Sequence, residues 1–256
     1  MTNKQKLLSS TYLERNIKIL FWDIETSLMK GYFFSLWHKM IPIEDVISDW
    51  RILCICYAWN NEEPKRIVGR ERTILRKFIK ILNQADIIVY HNGDKFDMKR
   101  VRAKAFEHGL LPPKPFNSAN TVDTLKVAKK EFDFSSRKLD FIAHTILKIG
   151  QKLQTNKKLW IDATEGCKDA LERMATYCEQ DVILLRDVYL RMIPYITNHP
   201  NLSLFTDNPA CPNCGSEDLQ KNGVKKTRTG LYQEYKCKSC GSYPRGKKNL
   251  KTVEMR

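Results

Sequence analysis

The stretch "ILFWDIETS", residues 19–27, decides the reading of the fold. It opens as an apolar run and then sets two acids, Asp23 and Glu25, two positions apart. Side chains alternate faces along a strand, so residues i and i+2 point the same way. A buried strand starting near Ile17 thus ends with two carboxylates on one face. Like charges held that close repel unless something positive lies between them.

The segments around this strand supply a sheet and its covering helices. "RILCICYAWN" (51–60) and "PKRIVG" (64–69) read as further strands on either side of the polar turn "NEEP". "ERTILRKFIKILNQA" carries apolar residues at 74, 75, 78, 79, 81 and 82, a helical spacing. "DIIVYHN" is a short buried strand, and "KFDMKRVRAKAFEHG" a helix ending at Gly109. "NTVDTLKVAKKEF" reads as a strand edge running into a helical turn, and "SSRKLDFIAHTILKIG" as a helix closed by Gly150. "CKDALERMATYCEQDVILLRDVYLRMIPYI" gives one long helix. This order predicts an α/β domain with a mixed sheet flanked by helices.

A chain of 256 residues, 42% hydrophobic, holds one well-cored domain and a small appendage. "MTNKQKLLSSTYLERN" lacks the apolar core of a secretory leader, and the longest apolar run, Ile52–Trp59, is too short to span a bilayer. The expectation is a soluble cytoplasmic protein, in the host cytoplasm if the chain is viral, with no membrane partner. Its 44 Lys/Arg against 29 Asp/Glu leave +15, which suits a polyanion; a solubilising lysine-rich surface gives the same number.

More acids stand at element ends. "HNGDKFD" puts Asp97 just past the strand Ile87–Tyr90, and "YCEQD" puts Tyr177 and Asp181 four apart on one helix face. Asp23, Glu25, Asp97 and Asp181 could converge at one end of the sheet. Two hard divalent cations, Mg²⁺ or Mn²⁺, would relieve that repulsion, and a close pair of such ions serves phosphodiester hydrolysis.

The ordered set "FWDIET", "HNGDKFD" and "YCEQD" resembles the DEDD superfamily of 3′→5′ exonucleases, which have an RNase H-like fold. The likeness covers roughly residues 17–195. It implies that Asp23, Glu25, Asp97 and Asp181 are catalytic metal ligands and that Tyr177 orients the attacking water, as in the DEDDy branch. The sister branch needs a histidine where this chain has Thr176. The opening also resembles stand-alone exonucleases of phages and mobile elements, and "VDTL" and "KLD" resemble proofreading domains of family B polymerases. The reaction implied releases nucleoside 5′-monophosphates from DNA that is single-stranded or frayed at its 3′ end. RNA is the alternative substrate, and a non-catalytic adaptor or a structure-selective endonuclease on the same fold are rival readings.

Candidate substrate contacts are Thr26, Asn92, Phe96, Arg137 and the aromatics Phe33, Phe34 and Trp37 of "GYFFSLW", which could stack on bases or simply pack over the sheet. Asp94 and Asp123 stand near the motif acids but read as supporting residues.

Cys211, Cys214, Cys237 and Cys240 form two Cys-x2-Cys pairs 22 residues apart, a spacing that suits one structural Zn²⁺, with an iron–sulfur cluster as the rival. The segment resembles zinc ribbons of transposase-like proteins, which implies nucleic-acid binding; docking a replication or repair protein is the other option. Residues 211–256 carry 11 Lys/Arg and 4 Asp/Glu. The predicted organisation is an exonuclease domain over 1–200, a linker over 201–210 and the ribbon over 211–256. Cys54 and Cys56 lie in a strand and read as core residues.

Overall fold

The computed structural model describes residues 17–35, 37, 40–150, 153 and 155–252. The polar N-terminal sixteen residues and the last four, to which the domain limits extend, lie outside the described residues.

Five strands form the main sheet in the order β5-β4-β1-β6-β7. They are β1 (Ile19–Thr26), β4 (Ile52–Trp59), β5 (Lys65–Val68), β6 (Ile87–Tyr90) and β7 (Thr121–Asp123). β4 runs antiparallel to β1 and β5, whereas β6 and β7 run parallel to β1, so the sheet is mixed as predicted. A small ladder, β2 (Lys30–Gly31) with β3 (Val46–Ser48), closes the long connection after β1.

The pleat of β1 divides the core in two. Leu20, Trp22 and Ile24 face helix α1 (Glu71–Leu82) and helix α2 (Asp97–Glu107), packing with Ile74, Leu75, Phe78, Tyr90 and Val101. Trp22 meets Phe78 at 4.7 Å and Tyr90 at 6.1 Å between ring centroids. Ile19 and Phe21 face the other way, onto α3 (Thr124–Glu131), α4 (Lys157–Thr164) and the 25-residue α5 (Lys168–Met192). Asp23 and Glu25 continue that second face, opposite Cys56 and Cys54 in the antiparallel register.

Two expectations need correction. The helix predicted over 135–150 is a short π-helix, Phe141–Ile146, with Leu147 N–H donating to the Ile142 carbonyl. Ser136 Oγ accepts from Lys138 N–H at 3.4 Å, a local turn bond that competes with helix formation at the start of the segment. Helix α4 was not predicted. It is only 8 residues long, and Asn156 caps it by accepting from Leu159 N–H.

The tail is a three-stranded antiparallel sheet, β10-β9-β8, built from β8 (Leu219–Lys226), β9 (Gly230–Cys237) and β10 (Arg245–Thr252). Its four cysteines share an apolar cluster with Val188, Met192, Ile196 and Leu202. Asn213 Nδ2 donates to the carbonyls of Ile193 and Ile196 at 3.2 and 2.8 Å. The connecting stretch carries a 3₁₀ turn, Leu202–Phe205, whose Leu202 is fully buried and donates its N–H to the Pro212 carbonyl.

Candidate active site

The parallel pairing of β1 with β6 ends at Phe21–Val89, while β1 runs on to Thr26 against β4. The last residues of β1 therefore project beyond β6, at the carboxyl ends of the parallel strands, where open α/β sheets bind ligands. Asp97, at the first turn of α2, fills the gap. Its own backbone N–H and that of Ile24, on β1, act on its carboxylate as donors and partly offset its burial.

On the α5 face, carboxylate oxygens of Asp23, Glu25 and Asp181 lie within 4.8 Å of one another. Asp97 stands outside that trio but is close enough for its charge to act on Asp23 and Glu25. Helical spacing puts Tyr177 one turn before Asp181, close enough for its hydroxyl to lower the Asp181 pKa as a donor.

Electrostatics make this cluster unfavourable while nothing neutralises it. Burial, followed by the charges of Asp97, Asp181 and Glu25, holds Asp23 well above the usual carboxylate range. Glu25 is raised by burial first, then by the Cys54 thiol and the charges of Asp181 and Asp97. Burial pushes Asp97 and Asp181 up to about 7 each. Burial and the Asp181 and Glu25 charges raise Tyr177 further from ionisation. Oxygen-only donors that share excess negative charge in a buried cleft fit hard divalent cations.

The candidate substrate residues fall into two groups. Thr26, Asn92 and Phe96 lie close to the acids. Thr26 Oγ1 accepts from Arg100 at 2.8 Å, and that guanidinium lies between the rings of Phe96 and Trp50, at 4.1 and 4.3 Å. Asn92 adopts a φ of 68°, which asparagine tolerates, and its N–H donates to Asp123 Oδ1 at 2.8 Å. Arg137 belongs to neither group: its guanidinium lies 3.8 Å from Asp133, and its carbonyl lies 3.0 Å from His91 Nε2, whose Nδ1 lies 2.9 Å from the Thr124 hydroxyl that donates to the Tyr90 carbonyl. Phe33, Phe34 and Trp37 form the second group and stand in solvent, with Phe34 and Trp37 at least 89% exposed. They do not pack over the sheet.

Asp123 also caps α3, accepting from Leu125 N–H, and Asp94 pairs with Tyr90 and Lys126; both act as supports.

Three contributors escaped the sequence reading. Trp160, on α4, is near enough to Glu25 to lower its pKa as a donor and stands edge-on to Tyr177 at 6.0 Å. Trp50 completes the cation–π stack that holds Arg100 at Thr26. Cys178 joins Cys54 and Cys56 in a cluster of buried thiols directly under Asp23, with its Sγ 3.5 Å from the Asp23 carbonyl. Asn156 as a helix cap was the one signal that could have revealed α4 and, with it, Trp160.

The tail thiols make a second cluster, all four Sγ atoms within 4.8 Å, with Cys211–Cys240 at 3.7 Å and Cys214–Cys237 at 3.6 Å. Ser242 Oγ lies 3.1 Å from Cys211 Sγ and 3.0 Å from Cys240 Sγ. Four converging sulfurs fit a closed tetrahedral metal.

Among the described residues no helix is long and apolar enough to cross a membrane. The RNase H superfamily profile matches residues 20–193. Among solved structures, the family B DNA polymerase from the hyperthermophilic archaeon Pyrobaculum calidifontis is similar, with a TM-score of 0.51 and 13% identity over 84% of this chain. That likeness covers 32% of the polymerase, so this chain spans about a third of its length, and it concerns fold alone. No curated protein sequence matches. The chain belongs to the RNase H superfamily.

Proposed function

We propose that this RNase H superfamily member is a divalent-metal-dependent 3′→5′ exonuclease of the DEDDy type, hydrolysing terminal phosphodiesters of DNA to nucleoside 5′-monophosphates. The observation that carries the reading is the meeting of Asp23, Glu25 and Asp181 within 4.8 Å, with the Asp97 charge beside them and Tyr177 one helical turn from Asp181. An adaptor has no use for buried carboxylates that repel one another.

Asp23, Glu25, Asp97 and Asp181 would hold two Mg²⁺ or Mn²⁺ ions. When bound, those ions supply activation of the attacking water and stabilisation of charge at the scissile phosphate. Tyr177 stays protonated at neutral pH, so it cannot act as the base. Its hydroxyl, on the residue one turn from Asp181, orients the attacking water, a positioning contribution. Trp160 favours the ionised form of Glu25 and so opposes, in part, the burial that raises its pKa. Arg100, braced by Trp50 and Phe96, fixes Thr26 at the mouth of the cleft and presents a cation to the incoming phosphate. The exposed Phe33, Phe34 and Trp37 are placed to stack on unpaired bases.

In the same reading, residues 1–200 form the nuclease domain, and 201–210 lead into a ribbon over 211–256 whose cysteines bind one structural Zn²⁺ and whose basic surface meets nucleic acid. Four reduced thiols suit a cytoplasmic compartment.

The test is a Mg²⁺/Mn²⁺ assay on 5′-labelled single-stranded DNA and RNA of one sequence, with Asp181→Ala alongside. A stepwise ladder on DNA that vanishes in the variant is expected. Equal degradation by Asp181→Ala refutes the metal assignment, faster RNA degradation moves the substrate to RNA, and cutting of a circular single strand makes the enzyme an endonuclease.

A further inference from the structure

A cavity of about 780 Å³ separates the end of α5 from the cysteine tail. One wall is aromatic. Phe132 and Phe134 stack at 4.8 Å with an interplanar angle of 11°, and Tyr195 meets Phe132 edge-on at 5.0 Å. Another part of the lining is the stretch Lys236–Gly241, which carries Lys236 and Lys238, together with Arg191 of α5. Among the described residues no acid pairs with Lys236, Lys238 or Arg191. The single carboxylate lining the cavity is Asp187.

The place of the cavity relative to the acidic cluster is specific. The π-helix Phe141–Ile146 forms its floor through Ile142 and Ile146. The opposite side of the same short segment, through Asp140 and His144, lines a cleft with Tyr177 and Asp181. The two recesses thus share this short segment as a common wall.

The geometry points to a binding groove for single-stranded nucleic acid, with the Phe132–Phe134–Tyr195 wall receiving bases and Lys236, Lys238 and Arg191 receiving phosphates. Aromatic faces beside cations that no acid neutralises are the combination that sequence-tolerant strand binding uses. An apolar peptide would leave three cations without counter-charges. A duplex would keep its bases stacked on each other and away from the rings. The chain's net charge of +15 draws the same polyanion to this face. The tail thereby gains a role besides folding: it is one jaw of the groove, and the strand held there lies across the π-helix from the recess that Tyr177 and Asp181 line. The groove rests on the nucleic-acid reading above.

The experiment uses the full, zinc-loaded chain with Asp181→Ala, so that bound strand survives, and follows the anisotropy of a fluorescein-labelled oligo(dT). Tyr195→Ala and Phe134→Ala should each weaken binding about 5- to 100-fold, the range for loss of one stacked base. Lys236→Glu should weaken it as well and flatten the dependence of log K on log salt by about one. Phe106→Ala, an 89% exposed aromatic on α2, should leave binding unchanged. Phe134 packs partly against the core, so the deciding variants are those at Tyr195 and Lys236, whose side chains are exposed. If both bind like Phe106→Ala, the groove is refuted. Cleavage by the otherwise unsubstituted chain is scored separately. Groove-dependent binding without cleavage sinks the nuclease reading and keeps the groove, whereas cleavage with groove-independent binding does the reverse.

Discussion

Trp160→Phe separates metal binding at the site from its packing. The indole N–H acts on Glu25 as a donor that lowers its pKa, and Glu25, 9% exposed, has little water to take the donor's place. Phenylalanine keeps an aromatic ring against Tyr177, 6.0 Å away in the parent, and removes only the donor. A hydrogen bond to a charged group contributes roughly 1.5–3 kcal/mol. Without it the ionised form of Glu25, already disfavoured by burial, is disfavoured further, so a cation must displace a more tightly held proton. At about 1.4 kcal/mol per factor of ten, divalent-ion affinity near neutral pH should fall roughly 10- to 100-fold. Because the loss acts through a proton, it should shrink as pH rises. Mn²⁺ titration followed by electron paramagnetic resonance reads the affinity without needing turnover. Unchanged affinity in a variant that melts like its parent would refute the idea that Trp160 sets the charge state of Glu25.

Tyr177→Phe should lower turnover about 10- to 100-fold while leaving oligonucleotide affinity in place, since a water-positioning hydroxyl contributes to the reaction and not to strand binding; equal loss in both would make the residue a substrate contact. Asp97 and Asp181 hold their protons up to about 7 in the folded chain, against an ordinary aspartate value near 4. Folded pKa values raised above the unfolded ones mean that stability without divalent ions is greatest below pH ~4 and declines as pH rises toward ~7. The gain in Tm on adding saturating Mg²⁺ should therefore grow across that window, and a gain independent of pH would sink the argument. Gly93→Ala places a Cβ 2.2 Å from Tyr90 Cγ in the buried turn that leads to Asp97. Forcing that ring aside should cost about 1–3 kcal/mol in urea unfolding at unchanged slope, and an unaltered midpoint would show that the turn opens freely.

The mixed sheet and the acids at its edge were legible because they obey short-range rules. Period-two alternation put Asp23 and Glu25 on one face, and helical spacing put Tyr177 beside Asp181. What escaped depends on contacts between distant segments. Trp160 sits on an 8-residue helix too short to show a pattern, and its partner Glu25 lies on the first strand. Arg100 reads as one cation among many on a basic helix until the fold sets it between Trp50 and Phe96. Nor could spacing reveal that Cys178 meets Cys54 and Cys56, 124 and 122 positions away in the chain.

Those thiols also explain how a cluster of buried acids is tolerated at the edge of a core. Along the α5 face of β1 the order is Ile19, Phe21, Asp23, Glu25, so polarity begins where pairing with β6 stops. Charged groups at that boundary need neighbours that are compact enough to let α5 approach and able to accept or donate weakly. Sulfur meets both needs, being soft and polarisable and a weak donor. Cys56 Sγ reaches the Ala175 carbonyl on α5 and Cys178 Sγ reaches the Asp23 carbonyl on β1, each at 3.5 Å. Longer aliphatic side chains at 54, 56 and 178 would hold α5 away from β1 and separate Asp181 from Asp23 and Glu25. The sulfur layer therefore sets the helix-to-strand spacing that brings the three carboxylates together.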